Sequence, residues 1–445
     1  MNTPKQHGGS PTRFQPARRD FLKKSFAVSA GATALGGLSL ARGAHAAGSD
    51  VLRIGLIGCG SRGPGAAVNA MNMDPGARLV AMTDIFLDRV KNRRDMLRKQ
   101  KPDQVQVDDE HCFSGLDGYK PVIESADVVL IACSAKYHPV YLRAAIEAGK
   151  HVFVEKPHAI DPVGVRQVAD ACALAKKKNL SVLSGLHSRF HPGYQEAVKR
   201  VHDGAIGRIV SIEENFLRGP YGLYRRQPSQ NEVEYQFGNQ YHFAWLCGDD
   251  VPQSLIHNLD RATWAMQGQM PVRAHGLGGR SASFGEVFGN VFDHHSVVYE
   301  YADGVRLYAF ARTQNGCHGH YGSLVLGSEG WCNIMQCRIG GKTEWRYEGP
   351  RQNPYDLEHK ALFSGIRSGN PINCGEYMVP STMVTVLGQL ACYSGKQLTW
   401  DQVAQSEFVF TPKVEDVRLD MEPPVKPDEK GWYPVPLPGI TRFDI

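Results

Sequence analysis

Three groups of residues in this 445-residue chain have the types and spacing to do chemistry. Gly58-Cys59-Gly60-Ser61-Arg62-Gly63 spells G-x-G-x-x-G directly after a short apolar run (51–57) and ahead of helix-like sequence (64–73). That context predicts a dinucleotide pyrophosphate site. Gly58 permits the tight strand-to-helix turn, Gly60 lets the backbone approach the phosphates, and Gly63 lets helix and strand pack closely. The positive end of the helix then faces the anion. Cys59, Ser61 and Arg62 complete the loop, with Arg62 directed either at a phosphate or into solvent. A second strand (77–83) ends at Asp84, 21 residues past Gly63, where the ribose-binding carboxylate of such folds falls, at roughly 20 residues. An acidic residue there favours NAD over NADP, because a carboxylate repels a 2′-phosphate; Arg89 nearby moderates that preference.

The second group follows the continuous apolar run 127–133. Ser134 and His138 lie in a loop at the carboxyl end of this predicted strand, where ligands of doubly wound sheets bind. Both are expected at the cofactor, His138 at its nicotinamide end. The third group is polar and aromatic. Arg189 and His191 follow the last strand of the first domain and are expected to face a domain cleft, with His187 adjacent. Tyr241 and His242 precede Trp245, an aromatic beside imidazoles that suits the apolar face of a sugar ring. No metal is expected. The ten cysteines contain no C-x-x-C pair, and His294, His295, His318 and His320 lack helical i, i+4 spacing.

The elements that must position these groups fall into two patterns. From 51 to 186 strands alternate with helices, with a short strand expected at 105–107. This reads as a Rossmann-type doubly wound parallel sheet. From 187 the pattern changes, and strands dominate between 207 and 348, as in a largely antiparallel sheet. Helical sequence returns at 357–368 and 380–394, giving a second α/β domain over 187–410. Residues 411–445 are Pro-rich and irregular, an arm expected on the surface or on a neighbouring subunit.

Composition is that of a globular protein, 42% hydrophobic and 21% charged. Residues 1–46 stand apart. They carry Arg18-Arg19-Asp20-Phe21-Leu22-Lys23-Lys24, a weakly apolar stretch (26–40) and Ala44-His45-Ala46. This is the pattern of a twin-arginine signal peptide with its cleavage site. The stretch is too short and too rich in Gly, Ala and Ser to span a bilayer, so no stable membrane insertion is expected. Twin-arginine export carries folded protein, so the dinucleotide would be loaded before export, held tightly, and recycled within a periplasmic or otherwise exported enzyme. The leader holds seven basic residues and one acidic, and the remainder has a net charge of −1. No basic patch argues for nucleic acid.

The chain resembles the glucose–fructose oxidoreductase, inositol dehydrogenase and rhizopine-catabolism family (Gfo/Idh/MocA). The marks are the glycine loop, Asp84, the segment Ala145-Ile146-Glu147-Ala148-Gly149-Lys150-His151-Val152 running into Glu155-Lys156-Pro157, and Arg189-Phe190-His191-Pro192. Further marks are Gly207-Arg208-Ile209, Tyr301-Ala302-Asp303-Gly304 and Gly327-Ser328-Glu329-Gly330. The resemblance implies a Rossmann domain followed by an α/β domain on an open mixed sheet. It also implies homodimers or homotetramers formed partly through that sheet, and NAD(P)-dependent oxidation or reduction of a sugar, polyol or derivative at a secondary carbon.

Such a hydride transfer needs a base for the hydroxyl proton and a cation for the developing alkoxide. The family uses the lysine of the Glu-Lys-Pro motif at its active site, which points to Lys156 as catalytic and, with Glu155, beside the cofactor; Pro157 shapes their loop. The family often has D-x-G-x-H, then Asp three residues on. Here His257 and Asp260 match, and Gln253 and Leu255 replace the Asp and Gly. His257 is therefore the second catalytic candidate and a substrate contact, Gln253 is a hydroxyl-bonding residue that cannot take a proton, and Asp260 orients. An alternative activity is a redox-neutral glycoside hydrolase of the α-N-acetylgalactosaminidase-like type, which oxidises, eliminates, hydrates and reduces with no net change in NAD.

Overall fold

Two sheets organise the chain. The computed structural model describes residues 50–445; the expected leader lies outside the described residues. The first sheet is built from β1 (Leu52–Ile57), β2 (Ala77–Asp84), β3 (Cys112–Ser114), β4 (Val128–Ile131), β5 (His151–Val154) and β6 (Val182–Ser184), in the order β3-β2-β1-β4-β5-β6. All pairs are parallel. The four residues of β4 are all buried, as a strand covered by helices on both faces requires. The helices are α1 (Arg62–Met73), α2 (Leu87–Gln100), α3 (Tyr119–Ser125), α4 (His138–Glu147) and α5 (Pro162–Lys177). Strand order reverses between β1 and β4, so the carboxyl ends of these two strands flank the crevice of a doubly wound fold.

The expected strand at 105–107 is reduced to one bridge, Val105 to Leu79. The chain turns away at 108–111 and pairs again only at Cys112–Ser114, which is the true edge strand. Two polar-flanked valines were too weak a signal to register the edge.

After a single turn at His187–Phe190 come α6 (Pro192–His202) and the second sheet. This sheet has nine strands: β7 (Ile209–Arg218), β8 (Arg273–Gly279), β9 (His294–Glu300), β10 (Arg306–Thr313), β11 (His320–Gly327), β12 (Gly330–Asn333), β13 (Arg338–Gly341), β14 (Trp345–Arg346) and β15 (Leu398–Thr399). Their order is β14-β13-β12-β11-β7-β10-β9-β8-β15. Only β7 and β10 run parallel, so the sheet is mixed and mainly antiparallel, as expected. Between β7 and β8 lie α7 (Glu232–Gly238), α8 (Ala244–Cys247) and α9 (Ile256–Ala265). After β14 come α10 (Pro354–Arg367), α11 (Gly375–Ser394) and, past β15, α12 (Trp400–Gln405).

Helices α9 and α11 cover one face of this sheet, over buried Val297, Tyr299, Leu307 and Ala309. Helix α10 crosses back to pack on α1, and α11 on α5. The sequence boundary at 187 therefore separates two sheets within one compact unit spanning 50–445. The terminal arm lies on this chain's own surface. The Tyr433 hydroxyl donates to Glu232 Oε1 at 2.6 Å, and Phe443 stacks on Tyr393 with centroids 5.9 Å apart.

Candidate active site

The glycine loop has the geometry its spacing predicts. Gly58 sits at φ +100°, and a Cβ there would lie 2.5 Å from the Cys133 nitrogen. A Cβ on Gly63 would lie 1.9 Å from the Gly58 carbonyl oxygen, so α1 and β1 approach as only glycine allows. A Cβ on Gly60 would meet nothing within 4 Å, so the loop presents open backbone at this position. No side chain caps α1, and no acidic residue occupies its first turn, which leaves its leading N–H groups for an anion. These observations fit a dinucleotide, and Gly58, Gly60, Ser61 and Gly63 are the residues that would hold its phosphates. Asp84 closes the other side: its carboxylate accepts from the Cys59 amide at 2.8 Å and pairs with Arg89 at 3.2 Å.

One side chain assigned to the cofactor points elsewhere. The Cys59 thiol is buried and donates to the Thr83 carbonyl, so only the backbone of Cys59 belongs to the groove. Ser134 lines the groove beside Gly58, Gly60 and Asp84, and its hydroxyl donates to the Leu246 carbonyl at 2.7 Å, bonding the first sheet's loop to the later part of the chain.

At the carboxyl end of β5 the groove opens into a cavity of about 390 Å³ that contains Lys156, Glu155, Gln253, His257 and Tyr241. Lys156 Nζ donates to the Gln253 carbonyl at 2.6 Å. That carbonyl belongs to a π-helical turn, Val251–Leu255, leading into α9, a local widening common at functional sites. Gln253 thus acts through its backbone. Burial pushes the Lys156 ammonium below its ordinary value, with Glu155 opposing and Arg218 adding to the shift. His257 faces His187 across 4.9 Å, and the buried Nδ1 atoms of both rings have no hydrogen-bond partner. Burial, with nearby Lys156 and Arg261, holds both imidazoles down, His187 to about 3, so both are neutral at physiological pH. Tyr241 packs at a tilt against Tyr221 with centroids 4.6 Å apart, and Phe216, Tyr321 and Tyr355 complete an aromatic wall.

Arg62 lines the cavity at the glycine loop with Gly60 and Ser61 and is held by protein partners. Its Nε pairs with Glu155 at 2.7 Å, its guanidinium lies 4.7 Å over the Tyr355 ring, and it approaches Glu358 at 3.5 Å. It joins the glycine loop to the cavity wall. Glu358 is fully buried, and burial beside Glu155 drives its carboxyl well up.

Four expected contacts are not in this cavity. His138 is buried, with its ring nitrogens 2.7 Å from the Pro157 carbonyl and 3.1 Å from that of Cys133, so it braces two loops. Arg189 forms a paired contact with fully buried Asp260 (2.8 and 3.0 Å) and lies between the rings of Trp264 and Tyr377, so it is structural. His191 caps α6 and stacks on Tyr194 at 3.9 Å, on the side towards β13 and β14. His242 is buried beside the Gly222 carbonyl, and burial lowers it to about 4. Sequence reasoning under-read His187 and missed Tyr221, Tyr321 and Tyr355. No local pattern marks them, because the fold gathers them from separate elements. Among the described residues no group of three His, Cys, Asp or Glu side chains is arranged for a metal ion.

The fold and the groove define a protein with a Rossmann-type dinucleotide-binding sheet followed by a larger mixed sheet. Comparison with known proteins narrows the class. Residues 52–185 match the Gfo/Idh/MocA model, "Oxidoreductase family, NAD-binding Rossmann fold". An inositol 2-dehydrogenase of Saccharopolyspora erythraea is 30% identical over 45% of this chain and 55% of its own length. Another, from Serratia proteamaculans, is 26% identical over 72% of this chain and 87% of its own. A glycosyl hydrolase family 109 protein of Bacteroides fragilis is 37% identical over 38% of this chain and 35% of its own. The chain thus spans about half the length of the first of these relatives, and about a third of the hydrolase. Levoglucosan dehydrogenase, solved with NADH and levoglucosan, shares the fold with a TM-score of 0.62 at 17% identity, over 79% of this chain and all of that one. Aldose–aldose oxidoreductase from Caulobacter crescentus does so at 0.60 and 18%, over 78% of this chain and 99% of that one. The family match and the inositol dehydrogenase relatives together support the Gfo/Idh/MocA family.

Proposed function

We propose that this chain is a nicotinamide-dinucleotide-dependent oxidoreductase acting on a secondary carbinol carbon of a sugar, polyol or glycoside. The observation that carries the reading is the position of Lys156. It stands in a cavity that Arg62 of the glycine loop also lines, together with a neutral imidazole pair. A bound nicotinamide supplies the hydride acceptor or donor. Lys156, oriented by the Gln253 carbonyl, bonds the reacting hydroxyl and steadies the developing alkoxide. His257, neutral and with an unpartnered Nδ1, takes the hydroxyl proton. The aromatic wall packs the apolar ring face and excludes water. Asp84 favours NAD, held tightly. The Arg18-Arg19 leader supports export of the loaded protein by the twin-arginine machinery.

A homodimer or homotetramer is supported by the second sheet. Register places Leu277, Val298, Tyr308, Phe310, Leu324 and Leu326 on the face opposite the helices, with Leu277 76% exposed.

One finding favours a second reading. The Bacteroides fragilis relative bears a glycosyl hydrolase name, and a redox-neutral hydrolase would need the same cradle and lysine. The test is to purify the exported protein without added nucleotide, identify any released dinucleotide, and incubate the intact enzyme with sugars, inositol and aryl glycosides. Net reduction of NAD without aglycone release supports the dehydrogenase. Aglycone release with no net cofactor change makes it a hydrolase. No dinucleotide and no affinity for one overturns both.

A further inference from the structure

The segment 219–231, between β7 and α7, belongs to the second domain yet borders the first domain's glycine loop. Tyr224 and Arg225 line a cavity of about 300 Å³ together with Gly60, Ser61 and Arg93. The segment is pinned on both sides of that stretch. On one side the Tyr221 hydroxyl bonds Ser254 at 2.9 Å, and its ring is held between the Arg218 guanidinium at 3.7 Å and Tyr241. On the other, Arg226 Nε donates to Glu286 at 2.9 Å, and its Nη2 pairs with Glu232. Residues 222–225 therefore form a short span stretched between two fixed points, not a free loop.

The charges in this cavity are unequal in kind. Arg62 and Arg89 each have a carboxylate partner. Arg93 and Arg225 form no ion pair among the described residues, although both face the same space. Two uncompensated guanidinium groups lie across from backbone that is open at Gly60 and from a helix N-terminus with no acidic residue. An anion is the ligand such a space accepts.

Resting on the dinucleotide reading above, we propose that residues 219–231 form a strap over the bound dinucleotide. Arg225, with Arg93 opposite, binds one of its phosphates and retards its release. The glycine loop alone offers only backbone donors and a helix dipole. The strap adds one cation, Arg225, facing Arg93 on α2, so dissociation requires phosphate contacts to break on both sides of the groove. This gives the tightly held cofactor a structural cause. The phosphate is either the pyrophosphate or the 2′-phosphate of NADP, and affinity for the two dinucleotides separates them.

The test uses the purified full-length mature protein with Arg225→Gln and Arg93→Gln. Neither side chain is in the core, so folding is checked by thermal melting and is expected to be unchanged. NAD and NADP affinities are measured by titration, and release of NADH by displacement. Loss of one charge-assisted contact weakens binding by about tenfold or more and speeds release in proportion. Equal losses for NAD and NADP place the pyrophosphate at the pair; a loss for NADP alone places the 2′-phosphate there. Either supports the strap. Affinity and release unchanged in both variants, with wild-type protein binding dinucleotide normally, overturn the strap and leave the oxidoreductase reading standing. Wild-type protein that binds neither dinucleotide overturns the underlying reading as well.

Discussion

Replacing Lys156 with Met separates catalysis from stability. The side chain keeps its length and apolar stem but loses the ammonium that would hold the reacting hydroxyl. A group handling the proton and charge of the transition state contributes about two to four orders of magnitude, so kcat should fall by that much. The cost to the fold should be small, for two opposing reasons. The Gln253 carbonyl loses a 2.6 Å hydrogen bond, which costs about 1–3 kcal/mol if it stays dry. Against this, a charged group that burial disfavours is removed, and each unit of depressed pKa corresponds to about 1.4 kcal/mol. The two oppose each other, so the net cost is smaller than that of the lost hydrogen bond alone.

The sign of the pH dependence follows. The folded protein holds the Lys156 proton less well than the unfolded chain, whose ordinary value is 10.5. Between the depressed folded value and 10.5 the unfolded chain binds more protons, so stability rises with pH in that window. Lys156 is least destabilising above 10.5, and stability is lost as pH falls through the folded value. The variant lacks this rise. Urea melts of both proteins at neutral and alkaline pH, with steady-state kinetics on any sugar substrate found, provide the assay. A variant that retains more than about a tenth of wild-type kcat refutes the catalytic role. One that keeps the alkaline rise refutes the burial argument.

Three further outcomes are expected. Because burial holds His257 below 6.5, the acid limb of kcat/KM should begin below pH 6.5 and disappear in His257→Asn; a midpoint above that value would mean the base is elsewhere. In Gly63→Ala the new Cβ meets the Gly58 carbonyl, so titration should show dinucleotide binding lost and melts should show about 1–3 kcal/mol of stability gone; near-normal affinity would contradict the overlap. Arg189→Met leaves Asp260 buried without its cation and should cost about 3–5 kcal/mol in denaturant melts, while KM for sugar and dinucleotide holds. A selective rise in the sugar KM would return Arg189 to the substrate.

What could be read from the sequence alone is what depends on near neighbours. The G-x-G-x-x-G turn is a demand of local backbone geometry, so Gly58 and Gly63 were legible in their roles before any coordinates. The alternation of buried strands and helices needs only hydrophobic period, so the parallel sheet and the change of pattern at 187 were legible too. The motif pointed to Lys156 and a partial one to His257, and both line the cavity. What tertiary structure decided is direction. Cys59, His138, Arg189 and His242 lie in the right segments, but their side chains turn to carbonyls or carboxylates of other elements, and His191 turns to Tyr194 in the helix it caps. No sequence window contains both Arg189 and Asp260. Tyr321 and Tyr355 enter the cavity for the converse reason: β11 and α10 fold back onto β7 and α1. Chain neighbours set the local turns, and packing of remote surfaces chose which polar groups were left unpaired to meet a ligand.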